Sequence, residues 1–280
     1  MRTKFLNRFK KRLASVNNQL CYHFFASEQA RPGIDEAASL QPEKNVSASF
    51  PENSFSSRID IRNRLLPGFH KVATETLGGI ALVSGVECVL SHLDEIQDFR
   101  AELAPTIVDT FKHDKAEEKI SHKLASWGAP PSLELTKTLA YLRLRRNHIA
   151  HANQDPHPSL KAVTAQYGNL LTNYWAQQPA SLPDLQFTSK NYLVRTEKEA
   201  FSLINICRIV MEEYDGILCS TIPQSTFEAF ELKKFITANK AIRGHKIETR
   251  LRKFSAQFRQ NYGTEVTMTC DELSRAWAGT

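Results

Sequence analysis

An all-α bundle is the fold class this sequence predicts, and three observations predict it. Apolar residues recur at intervals of three and four over 69–92, 133–151 and 196–214. No segment alternates apolar and polar side chains in the convincing way of a half-buried strand. Helix-start patterns stand at the head of several runs, as at Thr196 with Glu199 three positions on. An apolar stripe on a helix has to be covered, and several striped helices cover one another as a bundle.

The elements follow in chain order. The opening "MRTKFLNRFKKRLASVNNQLCYHFF" is basic and carries no acid through Ser27. Its Phe and Leu spacing predicts an amphipathic helix, and it lacks the apolar core and small-residue cleavage site of a secretory signal. Such a helix serves either as a membrane-surface or nucleic-acid-binding element or as a cover on the folded body, its lysines in water. Residues 26–58 are rich in Ser, Pro, Asn and Glu, which predicts an irregular connection or a partly disordered linker. The body begins near Ile59.

Residues 69–92 predict one long helix striped by Leu77, Ile80, Val83, Val86 and Leu90. Gly78 and Gly79 weaken it by about 1 kcal/mol each against Ala but admit a close neighbour. A short helix is expected at 93–110. Another covers 114–126, with Asp114 as cap and Glu117 three positions on, and "WGAPPS" stops it. Ser132 caps the helix 133–151. After "ANQDPHP" come a helix at 159–175, the loop "QQPASLPD" and the strongly amphipathic 196–214. In the tail, 240–262 carries Leu251, Phe254 and Phe258 as a stripe, with Lys246, Arg250, Arg252, Lys253 and Arg259 around it. A last helix at 270–277 is capped by Thr269 with Glu272. The division expected is a basic helix and linker over 1–58, a helical domain over 59–225 and a basic helical region over 226–280.

Composition bounds the function. The 280 residues, 41% hydrophobic with 16 Phe, can fill a sizeable core. No uninterrupted apolar run approaches the ~18 residues that span a bilayer, so stable membrane insertion is not expected. A net charge of +6 favours polyanion partners modestly. The 5 cysteines are scattered, without the close pairs of a zinc site or the even set of a secreted scaffold, which points to a reducing cytoplasm. No metal or other cofactor is expected. "LGGIALVSG" lacks the setting of a phosphate loop, no Ser sits in a nucleophile elbow, and His151, Asp155 and His157 lack a fourth metal ligand.

The chemistry concentrates in "YLRLRRNHIAHANQDPHP", Tyr141 to Pro158, where three arginines and two histidines fall within the nine positions 143–151 as a helix ends. Asn147 and His151 lie four apart and share a face, and His148 lies three before His151. Arg146 is five from His151, about 140° round the axis, which suits a site shared by two chains. A histidine that titrates near neutrality moves protons, and an arginine fork holds phosphate oxygens. Together they serve RNA, whose 2′-hydroxyl is a built-in nucleophile beside the scissile phosphate. Cations at a helix C-terminus also complement its macrodipole, and spacing fits both readings.

"RNHIAH", Arg146 to His151, resembles the motif of the HEPN superfamily (higher eukaryotes and prokaryotes nucleotide-binding): an arginine, a polar residue and a histidine four to six positions on. The resemblance covers about 60–215, with 133–151 in the place of the motif-bearing helix and 196–214 in that of the later long helix. It implies a HEPN-like helical bundle, here with an N-terminal extension and a small basic C-terminal appendage. It further implies a metal-independent endoribonuclease, of the kind found among toxins and antiviral effectors, acting as a homodimer with both motifs at one cleft. Arg146, Asn147 and His151 match the motif positions; Arg145 offers the alternative spacing of six, and His148 lies inside the motif as a secondary candidate. RNA is the implied substrate, and a regulatory or antitoxin protein an implied partner. A non-catalytic RNA- or nucleotide-binding module, or an adaptor, is the alternative. Lys246, Arg250, Arg252, Lys253 and Arg259 would extend the RNA surface or form a solvated helix face.

Overall fold

The structure, a computed structural model, describes residues 1–59, 61–103, 115–151, 155–178, 182, 185–242 and 244–278. Among them the fold is all-α, with no strand and one isolated bridge between Asn45 and Arg62. The helices are α1 (Lys4–Leu40), α2 (Val46–Ser49), α3 (Leu66–Leu103), α4 (Ala116–Ser126), α5 (Leu133–Ala150), α6 (Pro158–Ala176), α7 (Glu197–Ser220), α8 (Gln224–Ala238), α9 (Ile247–Tyr262) and α10 (Cys270–Ala278). The chain forms two compact units, each assembled from separated stretches. One comprises Met1–Lys11, Cys88–Ala140 and Arg208–Thr280; the other comprises Arg12–Glu87 and Tyr141–Cys207 and holds the arginine–histidine motif.

In the motif-bearing unit the glycines of α3 set the helix packing. A Cβ on Gly78 would stand 2.9 Å from Val194, one on Gly79 3.1 Å from Ile149 of α5, and one on Gly85 2.9 Å from Ile204 of α7. These approaches bear out the expectation that Gly78 and Gly79 admit close neighbours. α6 closes in the same way, since a Cβ on Gly168 would meet the carbonyl oxygen of Phe187 at 2.9 Å. Phe24 of α1 packs edge-on to Phe201 of α7, and Leu13 and Leu20 are buried, so this stretch of α1 covers the core.

The other unit is built on aromatic clusters. Phe99 of α3 packs against Phe5, Phe227 and Phe230, and Phe235 of α8 against Phe254 of α9 and Trp277 of α10. The chain start is fastened by a buried carboxylate: Asp215 accepts from the Thr3 amide at 2.7 Å and from the Thr3 hydroxyl. Burial pushes the Asp215 pKa up, against the pull of the Thr3 hydrogen bonds.

Several expectations are corrected. Residues 26–40 are not an irregular connection but the second half of α1. Ala, Glu, Gln and Arg carry the helix through Pro32, although an interior proline removes a backbone hydrogen bond. From 41 to 58 the chain forms the one-turn helix α2 and short turns, held as Asn63 donates to the Gln41 carbonyl and Ser49 hydroxyl. The helix expected at 93–110 is no separate element, since α3 runs on to Leu103; the rest of that range lies outside the described residues. Asp114 also lies outside them, and Lys115 occupies the N-cap of α4.

The buried face of α3 differs from the stripe read in the sequence. Leu82, Val86, Val89, Leu93 and Ile96 are buried, whereas Ile80 is more than half exposed. By length and composition α3 could cross a membrane, and half of its most apolar stretch is buried within the protein. Three capping expectations hold. The Leu135 amide donates to Ser132, the Glu199 amide to Thr196, and Thr269 and Glu272 bond reciprocally. The Glu199 carboxylate, however, reaches the Arg195 amide and Arg145 instead of closing the box on Thr196.

Candidate functional site

Adjacent residues on a helix point about 100° apart, and that rotation gives Arg145 and Arg146 different surroundings. Arg145 is 1% exposed. Its Nε donates to the Tyr192 carbonyl at 2.9 Å, Nη1 to the Tyr141 hydroxyl at 2.9 Å, and Nη2 to the Leu193 carbonyl at 2.9 Å and to Glu199. Glu199 in turn accepts from the Arg195 amide at 2.9 Å. One guanidinium therefore fastens the strap before α7 to the end of α5, and each of its three nitrogens is engaged inside the fold.

Arg146 is half-buried. Its Nη1 donates to Asn147 Oδ1 at 2.7 Å, and its Nη2 forms an ion pair with Glu87 of α3. His151 is exposed, one residue beyond α5, and its amide closes the final turn on the Asn147 carbonyl at 3.0 Å. No recorded contact among the described residues joins the Arg146 side chain to the His151 imidazole. His148 stands edge-on to Tyr192, ring centroids 5.8 Å apart. Burial lowers its pKa, and the nearby Arg145 charge lowers it further, which favours the neutral imidazole. His157 is occupied in capping α6, accepting from the Ser159 amide at 3.2 Å. Among the described residues no cluster of three metal-ligating side chains occurs.

The arrangement thus presents one half-buried guanidinium, one amide bonded to it and one solvent-facing imidazole at a single helix end. Glu87 was not among the residues singled out for chemistry, and neither were Tyr192 and Glu199. A carboxylate interrupting the apolar run "LGGIALVSGVECVLSHL" was the available signal for Glu87; the local pattern marks Glu199 only as a capping residue, and nothing local marks Tyr192.

The basic residues of the tail divide similarly. Lys246, Arg252 and Lys253 are exposed. Arg259 pairs with Glu265 at 3.0 Å, and Arg250 lies over the Trp277 ring, 4.7 Å from its centroid, joining α9 to α10. Arg250 therefore has a packing role that the sequence did not reveal.

A cleft of about 500 Å³ in the motif-bearing unit lies between the later part of α1, the start of α3 and the start of α7, and none of the motif residues lines it. It contains a serine–histidine contact, Ser27 Oγ to His70 Nε2 at 2.8 Å. Thr74 spends its proton on the His70 carbonyl, so Ser27 must donate to Thr74, 3.1 Å away. His70 then donates its Nε2 proton to Ser27, the reverse of what would activate a nucleophile. Searches with this chain against family models, curated proteins and solved structures find no match.

Proposed function

We propose that this chain is a metal-independent endoribonuclease of HEPN type, with Arg146, Asn147 and His151 as its working residues. The observation that carries the reading is the separation of the two arginines. Arg145 is consumed by the fold, while the Arg-x4-His set that matches the motif sits at the end of a long helix, partly or wholly open to solvent.

In the proposed reaction the 2′-oxygen of RNA forms a bond to phosphorus and the P–O5′ bond breaks. One proton leaves the 2′-hydroxyl and another reaches the departing 5′-oxygen. The His151 imidazole transfers protons, and the Arg146 fork holds the phosphate as its charge shifts. Asn147 orients Arg146 through the hydrogen bond already present. A single histidine serves one end of the reaction well, so two chains meeting at their motifs supply both roles.

An exposed apolar stripe supports that pairing. Phe69, Val72 and Ile80 follow one another at three- to eight-residue steps on one face of α3, each more than half exposed, with Thr76 between them and Glu87 further along the same face. Exposed apolar side chains that share a helix face favour an interaction surface. The test is cleavage of mixed RNA, in excess chelator, by wild type, His151→Ala and Arg146→Ala. Loss of about 10²–10⁴ in rate on removing His151 is expected. Equal cleavage by all three would sink the reading, and clean binding without cleavage would favour a non-catalytic RNA-binding module.

A further inference from the structure

Arginine offers its donors as a planar fork, and its Nε and Nη2 edge is shaped to hold two oxygens of one anion side by side. At Arg146 that edge is half used. Nη2 meets one oxygen of Glu87, whereas Nε is buried without an acceptor among the described residues. Nη1 is committed to Asn147. Glu87 is about half exposed, so the pair lies where its carboxylate can withdraw into water.

A carboxylate facing this edge can take both donors, and here it takes one. Nε is left open to a second oxygen of an anion that reaches both nitrogens. From this geometry we infer that Glu87 is an internal stand-in for phosphate: it guards the Arg146 fork and must leave before a phosphate diester can bind through Nε and Nη2. The competition is direct, because Nη2 serves one anion at a time and a carboxylate beside a phosphate repels it. Glu87 thereby sets a threshold that a polyanion must exceed. Salt lowers that threshold's electrostatic part, since the pair is only partly buried.

The inference rests on the ribonuclease reading for the identity of the polyanion, but the competition itself requires no cleavage. The test measures fluorescence anisotropy of a labelled 2′-O-methyl oligoribonucleotide, whose blocked 2′-oxygen cannot attack. Full-length wild type, Glu87→Gln, Arg146→Ala and the double variant are titrated at several salt concentrations. Glu87→Gln should tighten binding roughly two- to fivefold, the range corresponding to one exposed ion pair. It should also steepen the salt dependence by about 0.7 in log–log slope, one further phosphate contact to a single strand. In the Arg146→Ala background the same change should have no such effect.

Unchanged or weaker binding by Glu87→Gln would overturn the inference, as would no binding by either protein. Equal tightening with and without Arg146 would do so too, because it would report only the loss of a negative charge. Should wild type and Glu87→Gln both leave ordinary RNA intact while the anisotropy pattern appears, the ribonuclease reading fails and the guarded phosphate seat stands.

Discussion

Arg145 and Arg146 are neighbours in sequence with opposite duties, and the difference should be large in stability measurements. Removing Arg145 leaves Glu199 and two strap carbonyls without their donor in a buried setting. Arg145→Ala is expected to cost about 3–5 kcal/mol. Arg146→Ala breaks a partly exposed pair and should cost under about 1 kcal/mol. Denaturant unfolding of the two variants checks this, and similar losses would contradict the assigned roles. Helical spacing revealed the cation cluster but not which arginine turns inward. That is decided by Tyr192, Leu193 and Glu199, some fifty positions later in the chain, beyond the reach of any local pattern.

At the scale of elements, α5 and α7 were legible because their apolar spacing is regular and their capping residues are local. α1 was not legible to its full length, since the Ser-, Pro-, Asn- and Glu-rich run from residue 26 lacks helical periodicity. The helix formers around Pro32 outweigh that signal, and Ser27, His70 and Thr74 tie the later part of α1 to α3. The buried face of α3 was misread because residues 77–90 are apolar nearly all round, which leaves periodicity little to distinguish. Glycines sharpen this into a prediction. On α6, Gly168→Ala would drive a Cβ onto the Phe187–Thr188 backbone, and a loss of about 1–3 kcal/mol is expected. On α7, Gly216 is exposed with open space around it, so Gly216→Ala should stabilise by about 0.5–1 kcal/mol. Thermal unfolding should move in opposite directions for the two variants; a shared direction would show that the packing around α6 is described wrongly.

For the whole molecule, the all-helical class followed from patterning, whereas the proposed dimer is argued from exposed side chains. If the Phe69–Ile80 face of α3 joins two copies, wild type should sediment as a dimer at micromolar concentration. Val72→Glu with Ile80→Glu should give a folded monomer with little RNA cleavage, because both positions are more than half exposed and tolerate charge in an isolated chain. A monomeric wild type that cleaves RNA at full rate would contradict the shared cleft. The most direct test of the central claim is end-group analysis of the products formed from RNA in EDTA by wild type and by His151→Ala. The account predicts 2′,3′-cyclic phosphate and 5′-hydroxyl ends from wild type, almost none from the variant, and no cleavage of DNA. Products ending in 5′-phosphate, or the same products at the same rate from His151→Ala, would contradict it.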